Sequence, residues 1–384
     1  MVSCQLIIVV PILPEIGRVL LVDEFRLGLV GTVYAVTLTV FALITGPISD
    51  RIGRRKILLY GSGFLTLAML LHWFADNYAL LLTVRAVAGA AGGILSGSII
   101  AYVGDYFPYE RRGWAVGWVM SGIAAGQILG IPLGTLMAYE TDFRLPFVLF
   151  GALMSLGWLM TWLFVPQPDV ERSKESLAFR NVLANYMALL RVRATSGSVC
   201  LYFLMFSSIG LFVFFLPVWL RESHGVTGAG LAGLFVLAGL AQVVGAPAGG
   251  SVSDRIGRKP VIVTTCLLLC ILFALTTYLI TGFVTACWVL AFAMLLAAVR
   301  MTPLQALMTA IVGENRRGIL MSLAIAVGQL GFGVGTAIAG LLYTRFGYIS
   351  NALGSAATTI LIVLVVWLML PEPERDIAEP VTAS

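Results

Sequence analysis

Charged side chains are scarce in this sequence: 11% of its 384 residues are Asp, Glu, Lys or Arg, while 59% are hydrophobic. With a mean hydropathy of +0.98 the chain lies outside the range that folds in water, which excludes a soluble enzyme or regulator. Histidine occurs only as His72 and His224. The five cysteines, Cys4, Cys200, Cys266, Cys270 and Cys287, all fall in apolar segments. Cys266 and Cys270 share a helix face, but no histidine or second cysteine pair joins them. They read as small buried hydrophobes, and no metal or cofactor is expected. A G-x-x-x-x-G-K-[ST] phosphate loop is absent, as is any polar stretch large enough for a nucleotide domain, which removes ATP-driven pumping. The first residues lack the basic region and cleavage site of a removed signal peptide, so the first helix is expected to begin at or near Met1.

What the sequence does have is apolar segments of membrane-spanning length, twelve of them: 1–22, 27–47, 57–75, 78–103, 114–138, 146–165, 195–218, 228–248, 261–282, 284–312, 318–343 and 348–370. In hydrocarbon each must satisfy its own backbone hydrogen bonds, and runs this continuous exclude the alternating strands of a barrel, so the segments are helices. Loops on one side carry Arg26, Arg144, Arg221 and Arg345, while the other side carries seventeen Lys and Arg residues. By the positive-inside rule the richer side, with both termini, is cytoplasmic. The net charge of +5 is then topology rather than a nucleic-acid footprint. A multi-pass protein of the inner (plasma) membrane is expected, embedded in the lipid bilayer, working as a monomer and without a nucleic-acid partner.

The chain also repeats itself. Asp50-Arg51-Ile52-Gly53-Arg54-Arg55 returns as Asp254-Arg255-Ile256-Gly257-Arg258-Lys259 at an offset of 204. Arg111-Arg112-Gly113 returns as Arg316-Arg317-Gly318, and Pro166-Gln167-Pro168-Asp169 as Pro371-Glu372-Pro373-Glu374, both at 205. A six-helix unit has been duplicated, and an even number of crossings gives the copies the same orientation about an axis along the membrane normal. The fold class is therefore all-α membrane, with twelve transmembrane helices in two pseudo-symmetric bundles. The expected domains are 1–165, a linker over 166–194, a second bundle over 195–370 and a tail over 371–384. In the linker Val182, Leu183, Tyr186, Met187 and Leu190 share one face, which predicts an amphipathic helix at the membrane interface, with a loosely ordered basic segment as the rival.

Two parallel repeats of six helices, each with D-R-x-G-R-[RK] after its second helix, resemble the major facilitator superfamily along the whole chain. The fuller pattern G-x-x-x-D-R-x-G-R-[RK] is matched from Gly46 and Gly250. The resemblance implies alternating access, in which two bundles rock about a central substrate site. It also implies that Asp50 and Asp254 latch the cytoplasmic side in the outward-open state, and that Asp105 pairs with Arg54. On physical grounds Gly53 and Gly257 supply a tight backbone reversal. The basic residues Arg51, Arg54, Arg55, Arg112, Arg255 and Arg258 have a purely topological reading as well.

Helix four carries Arg85 followed by Gly89, Gly92 and Gly93, similar to the family's R-x-x-x-G-x-G motif. Arg85 either faces protein or water, or snorkels to the outer surface. Helix five holds Gly117, Gly122, Gly126, Gln127, Gly130, Pro132 and Gly134, which resembles the G-x8-G-x3-G-P-x-x-G-G motif of proton-driven exporters. Gly117, Gly126 and Gly130 keep its spacing, whereas Ile131 stands where the motif has proline. Close packing and a kink are the structural account of these glycines and of Gly328, Gly331, Gly333, Gly335 and Gly340 in helix eleven. Gln127 and Gln329 are buried polar groups at corresponding places in the halves.

Arg300 lies deep in helix ten, before Thr302, Pro303 and Gln305. It either satisfies a carbonyl freed by the proline or meets an anionic group in the central cleft. Glu15 is nearly the only acid within a membrane segment, hence a candidate for proton coupling, with a static pair to Arg18 as the rival. Tyr34 in helix two is a further lining candidate. A membrane-embedded enzyme would need a nucleophile, a metal or paired carboxylates, and none is in place. The function expected is secondary active transport: proton-coupled efflux of a small organic molecule, a drug-like compound or sugar, with an importer or facilitator as the alternative.

Overall fold

The computed structural model describes residues 7–168, 179–311 and 314–370. Among them there is no strand. The first half comprises α1 (Val9–Leu20), α2 (Glu24–Ile52), α3 (Arg54–Leu71), α4 (Tyr78–Tyr106), α5 (Tyr109–Ala125), α6 (Ile131–Glu140) and α7 (Leu145–Phe164). After α8 (Phe179–Leu190), the second half comprises α9 (Arg193–Val213), α10 (Leu216–His224), α11 (Gly228–Ile256), α12 (Arg258–Leu279), α13 (Phe283–Ile311), α14 (Glu314–Phe346) and α15 (Tyr348–Met369). Ten helical spans are long and apolar enough to cross a membrane, with α9 and α10 forming one of them. The two further expected crossings are the first, where α1 starts at Val9 and residues 1–6 lie outside the described residues, and the interrupted pair α5 and α6.

The duplication is visible helix by helix. α2 and α11 both run 29 residues, as do α4 and α13. The expected loop between helices two and three shrinks to one residue. Asp50 and Arg51 sit in the last turn of α2, Arg54 opens α3, and only Gly53 stands between them. Gly53 has φ +107° and ψ 139°, and Gly257 has φ +104° and ψ 152°. This left-handed backbone is costly for any residue with a Cβ, which explains why glycine occupies both places.

Within each half the second and fourth helices cross at backbone distance. A methyl group built at Gly89 or Gly93 of α4 would collide with the carbonyls of Tyr34 and Leu38 on α2. In the second half the notch has changed helix. Gly245 and Gly249 of α11 meet α13, the former 2.7 Å from the Leu295 carbonyl. The crossing is thus conserved in geometry while the small residues move to the partner helix, as close packing in lipid requires on only one side of a contact.

Two other expected helices are broken. The fifth passes through a π turn at Gly126–Gly130 between α5 and α6, where glycines and Pro132 weaken the regular ladder. The seventh breaks between α9 and α10, with Pro217 in the first turn of α10. The linker helix α8 exists, with a face differing from the expected one. Leu189, Tyr186 and Leu190 pack on the second half's apolar cluster, while Met187 is exposed. The side chains of Val182 and Leu183 lie outside the described residues.

Candidate functional site

The end of the molecule carrying Gly53 and Gly257 is here called the motif end, and the other the far end. Among the described residues, the hydrogen bonds between the halves run from just past the midpoint of α2, where Thr39 donates to the Ala326 carbonyl of α14 at 3.0 Å. Toward the far end Thr32 donates to the Gly333 carbonyl at 2.8 Å and lies 3.1 Å from the Thr336 hydroxyl. A Cβ at Gly28 would stand 2.6 Å from the Thr336 carbonyl, and one at Gly340 2.9 Å from that of Glu24. Tyr139 of α6 closes against Gly228 of α11. One apolar cluster runs unbroken across this seam, taking in Ile12, Leu13 and Val30 from the first half and Phe214, Phe215 and Phe332 from the second.

The motif end is different. Gly97 and Gly104 of α4 and Gly117 and Gly122 of α5 have no atom within 4 Å of a built Cβ. Trp114 and Trp118 are about two-thirds exposed, at 64% and 66%, beside an apolar recess of about 260 Å³ that includes Leu58, Tyr102 and Phe107. The close packing expected of the helix-five glycines is therefore found at Gly134, against Ile8 and Phe150, and is missing at Gly117 and Gly122. The helix-eleven glycines are packed throughout: Gly331 against the Phe203 carbonyl, Gly335 against Ser207 and Gly333 against Ala35.

Several contacts of the motif residues lie within their own half. Arg54 Nε donates to Asp105 at 2.6 Å and its Nη1 to Ser49 at 3.1 Å. The backbone N–H of Arg55 donates to Gln167, and its guanidinium to the Trp162 carbonyl at 2.7 Å. Arg258 donates to the Ala306 carbonyl at 3.1 Å. Arg51, Asp254 and Arg255 are exposed. The side chains of Asp50 and Arg112 lie outside the described residues.

Arg85 does not snorkel. It is fully buried, with its guanidinium carbon 4.3 Å from the centre of the Tyr34 ring, and this cation–π contact draws two candidates into one pair. Arg300 is also buried, but away from the seam. It donates to the Met205 carbonyl at 3.3 Å and Ser208 at 3.1 Å on α9, and lies 3.8 Å from Cys266 Sγ on α12. These partners, from α9 and α12, are neither the carbonyl freed by Pro303 nor an anionic group. Gln127 is half-buried in the π turn, Gln305 is exposed, and Gln329 is half-buried with its Oε1 enclosed and without a hydrogen-bond partner among the described residues. These polar groups are not gathered into one cluster. No group of three His, Cys, Asp or Glu side chains converges among the described residues.

Glu15 is the residue the structure changes most. Its side chain is 6% exposed and holds Arg18 at 2.7 Å and, across the seam, Arg221 of α10 at 3.1 Å. Arg221 counts in the sequence only as an outer-loop arginine. The spacing Pro14-x-x-x-Arg18, repeated as Pro217-x-x-x-Arg221, is the signal that could have found it.

Two halves, joined across the far-end seam, are matched by a family model described as Major Facilitator Superfamily over residues 1–240 and 198–383. The chain belongs to the Major Facilitator Superfamily. Relatives within it include the MFS-type transporter YceJ of Bacillus subtilis (strain 168), 27% identical with 93% of this chain and 90% of the relative covered. Another is the multidrug resistance protein MdtG of Proteus mirabilis (strain HI4320), 25% identical over 96% and 92%. Among solved structures the fold matches a D-xylose-proton symporter with TM-score 0.78 at 16% identity, covering 97% of this chain and 95% of that one. It also matches the human organic anion transporter MFSD10 (TETRAN) with TM-score 0.71 at 19% identity, over 95% and 96%. This superfamily member is a multi-pass membrane transporter.

Proposed function

We propose that this transporter exports a small organic molecule in exchange for protons by alternating access, and that the arrangement described is its inward-open state. The observation that carries the reading is the one-sided seam. The halves are hydrogen-bonded and ion-paired from Thr39–Ala326 to the far end, while the glycines of α4 and α5 toward the motif end face open space. With the motif end cytoplasmic by the positive-inside rule, the cleft loads from the cytoplasm. The near absence of acids in the membrane segments favours an apolar or weakly polar substrate. The relatives named multidrug resistance proteins support the outward direction.

The latch role of the motif acids belongs to the opposite state, in which the motif end closes. In the inward-open state Arg54 and Asp105 brace the first half. Arg85 over Tyr34 is the candidate for substrate or proton contact in that half, and Gln329 in the other.

The test is transport of a substrate panel in proteoliposomes with an imposed pH gradient. Export should rise with the inward-directed proton gradient and collapse when an ionophore dissipates it. Uptake or release indifferent to the gradient would refute proton coupling and leave a facilitator.

A further inference from the structure

Helices α1 and α10 occupy equivalent places at the far end of the two halves. Pro14-Glu15-Ile16-Gly17-Arg18 and Pro217-Val218-Trp219-Leu220-Arg221 align at an offset of 203. The duplication supplies arginine twice and acid once, because Val218 stands where α1 has Glu15. Glu15 closes this asymmetry. Its Oε2 takes Arg18 at 2.7 Å and its Oε1 takes Arg221 at 3.1 Å, so one carboxylate bridges two cations, one from each half. Around it Tyr139 of α6 lies against Pro11, with its hydroxyl 3.5 Å from that carbonyl. Glu24 of α2 and Glu222 of α10 line the adjoining cavity of about 380 Å³ together with Arg18 and Arg221. Glu222 is taken by the Tyr343 hydroxyl at 2.5 Å, which leaves Glu15 as the counter-ion seated between the arginines.

We propose that Glu15 is the latch of the far-end gate: a single carboxylate that neutralises two repeat-equivalent arginines across the seam and so holds the far end shut. Removing it does more than lose an attraction. It leaves two guanidinium groups on either side of the seam without the carboxylate between them, Arg18 64% and Arg221 30% exposed, and like charges there favour separation of the halves. This deepens the alternating-access reading, and its test reads conformation rather than transport, so failure of either is recognised separately.

The experiment is a spin-label distance measurement on the full chain in lipid nanodiscs, in a background with the native cysteines replaced. Labels go at Leu21 and Ser223, both exposed at the far end. Wild type should give mainly the short distance. Glu15→Gln should raise the ratio of long to short by about tenfold. Glu15→Asp should stay near wild type, and Glu15→Gln with Arg221→Gln should return to within about threefold of wild type, since the repulsion is gone. A Glu15→Gln distribution identical to wild type overturns the proposal, as does a double variant no more closed than the single one. If Glu15→Gln does not yield monodisperse protein, Glu15→Ala carries the test. It leaves the same two arginines without their counter-ion, and an unchanged distance there is equally fatal.

Discussion

Replacing Gly249 with alanine puts a methyl group where the backbone of α13 already stands. The built Cβ lies 2.7 Å from Val299 Cα and 2.9 Å from its carbonyl carbon, and overlaps the carbonyl oxygen as well. All three are main-chain atoms of a long helix, so no side chain can rotate away. The helices must separate by most of an ångström along this crossing, with loss of the neighbouring contact of Gly245 on Leu295. Overpacking of this kind costs about 1–3 kcal/mol. At about 2.1 cal/mol/K per residue, a chain of 384 residues shifts by about 1 °C per kcal/mol, so the apparent melting temperature should fall by about 1–4 °C. Gly117→Ala is the internal control, since nothing lies within 4 Å of its Cβ position, and it should melt within about 1 °C of wild type. The assay is thermal unfolding in one detergent followed by size-exclusion chromatography. Equal melting of the two variants would refute the close-crossing account of α11 and α13.

Other substitutions probe the remaining contacts. Gly53→Ala forces a Cβ into a left-handed backbone, with Gln167 only 2.9 Å away; a loss of about 1–2 kcal/mol is expected, read as a lower melting temperature. Asp105→Asn removes a 2.6 Å charged pair whose side chains are 19% and 27% exposed. Screening limits the loss to about 1 kcal/mol, and added salt should narrow the gap to wild type. Arg300→Met exchanges a buried guanidinium with neutral partners for an apolar chain. It should leave melting unchanged or raised and transport within about threefold of wild type. A tenfold loss of transport without loss of stability would place Arg300 on the substrate path after all.

The fold was legible because its signals are local and repeated: long apolar runs, basic loops on one side and three landmarks at offsets of 204 and 205. What escaped depends on neighbours that one sequence does not name. The reversal between α2 and α3 uses a single residue, and nothing in Asp50-Arg51-Ile52-Gly53 says that the first three are still helical. The glycines of helix five look alike in sequence, yet Gly134 is packed against Ile8 and Phe150 and Gly117 has no described neighbour within 4 Å, because only the surrounding helices decide which of them is covered. Arg300 was read from its own helix and Pro303, whereas α9 supplies its partners. Glu15 was weighed against Arg18 three residues away, and Arg221, distant in sequence, was out of view.

The single-glycine elbows limit how the molecule can flex. With one residue between α2 and α3, and one between α11 and α12, the rods of a pair are held end to end and cannot slide along one another. Each pair keeps its ends together as it moves. Bending must then concentrate where the backbone ladder is already interrupted, at the π turn before Pro132 and at the gap between α9 and α10. Stiffening those two joints should slow the rocking of the halves, while stiffening the elbows should leave its rate untouched.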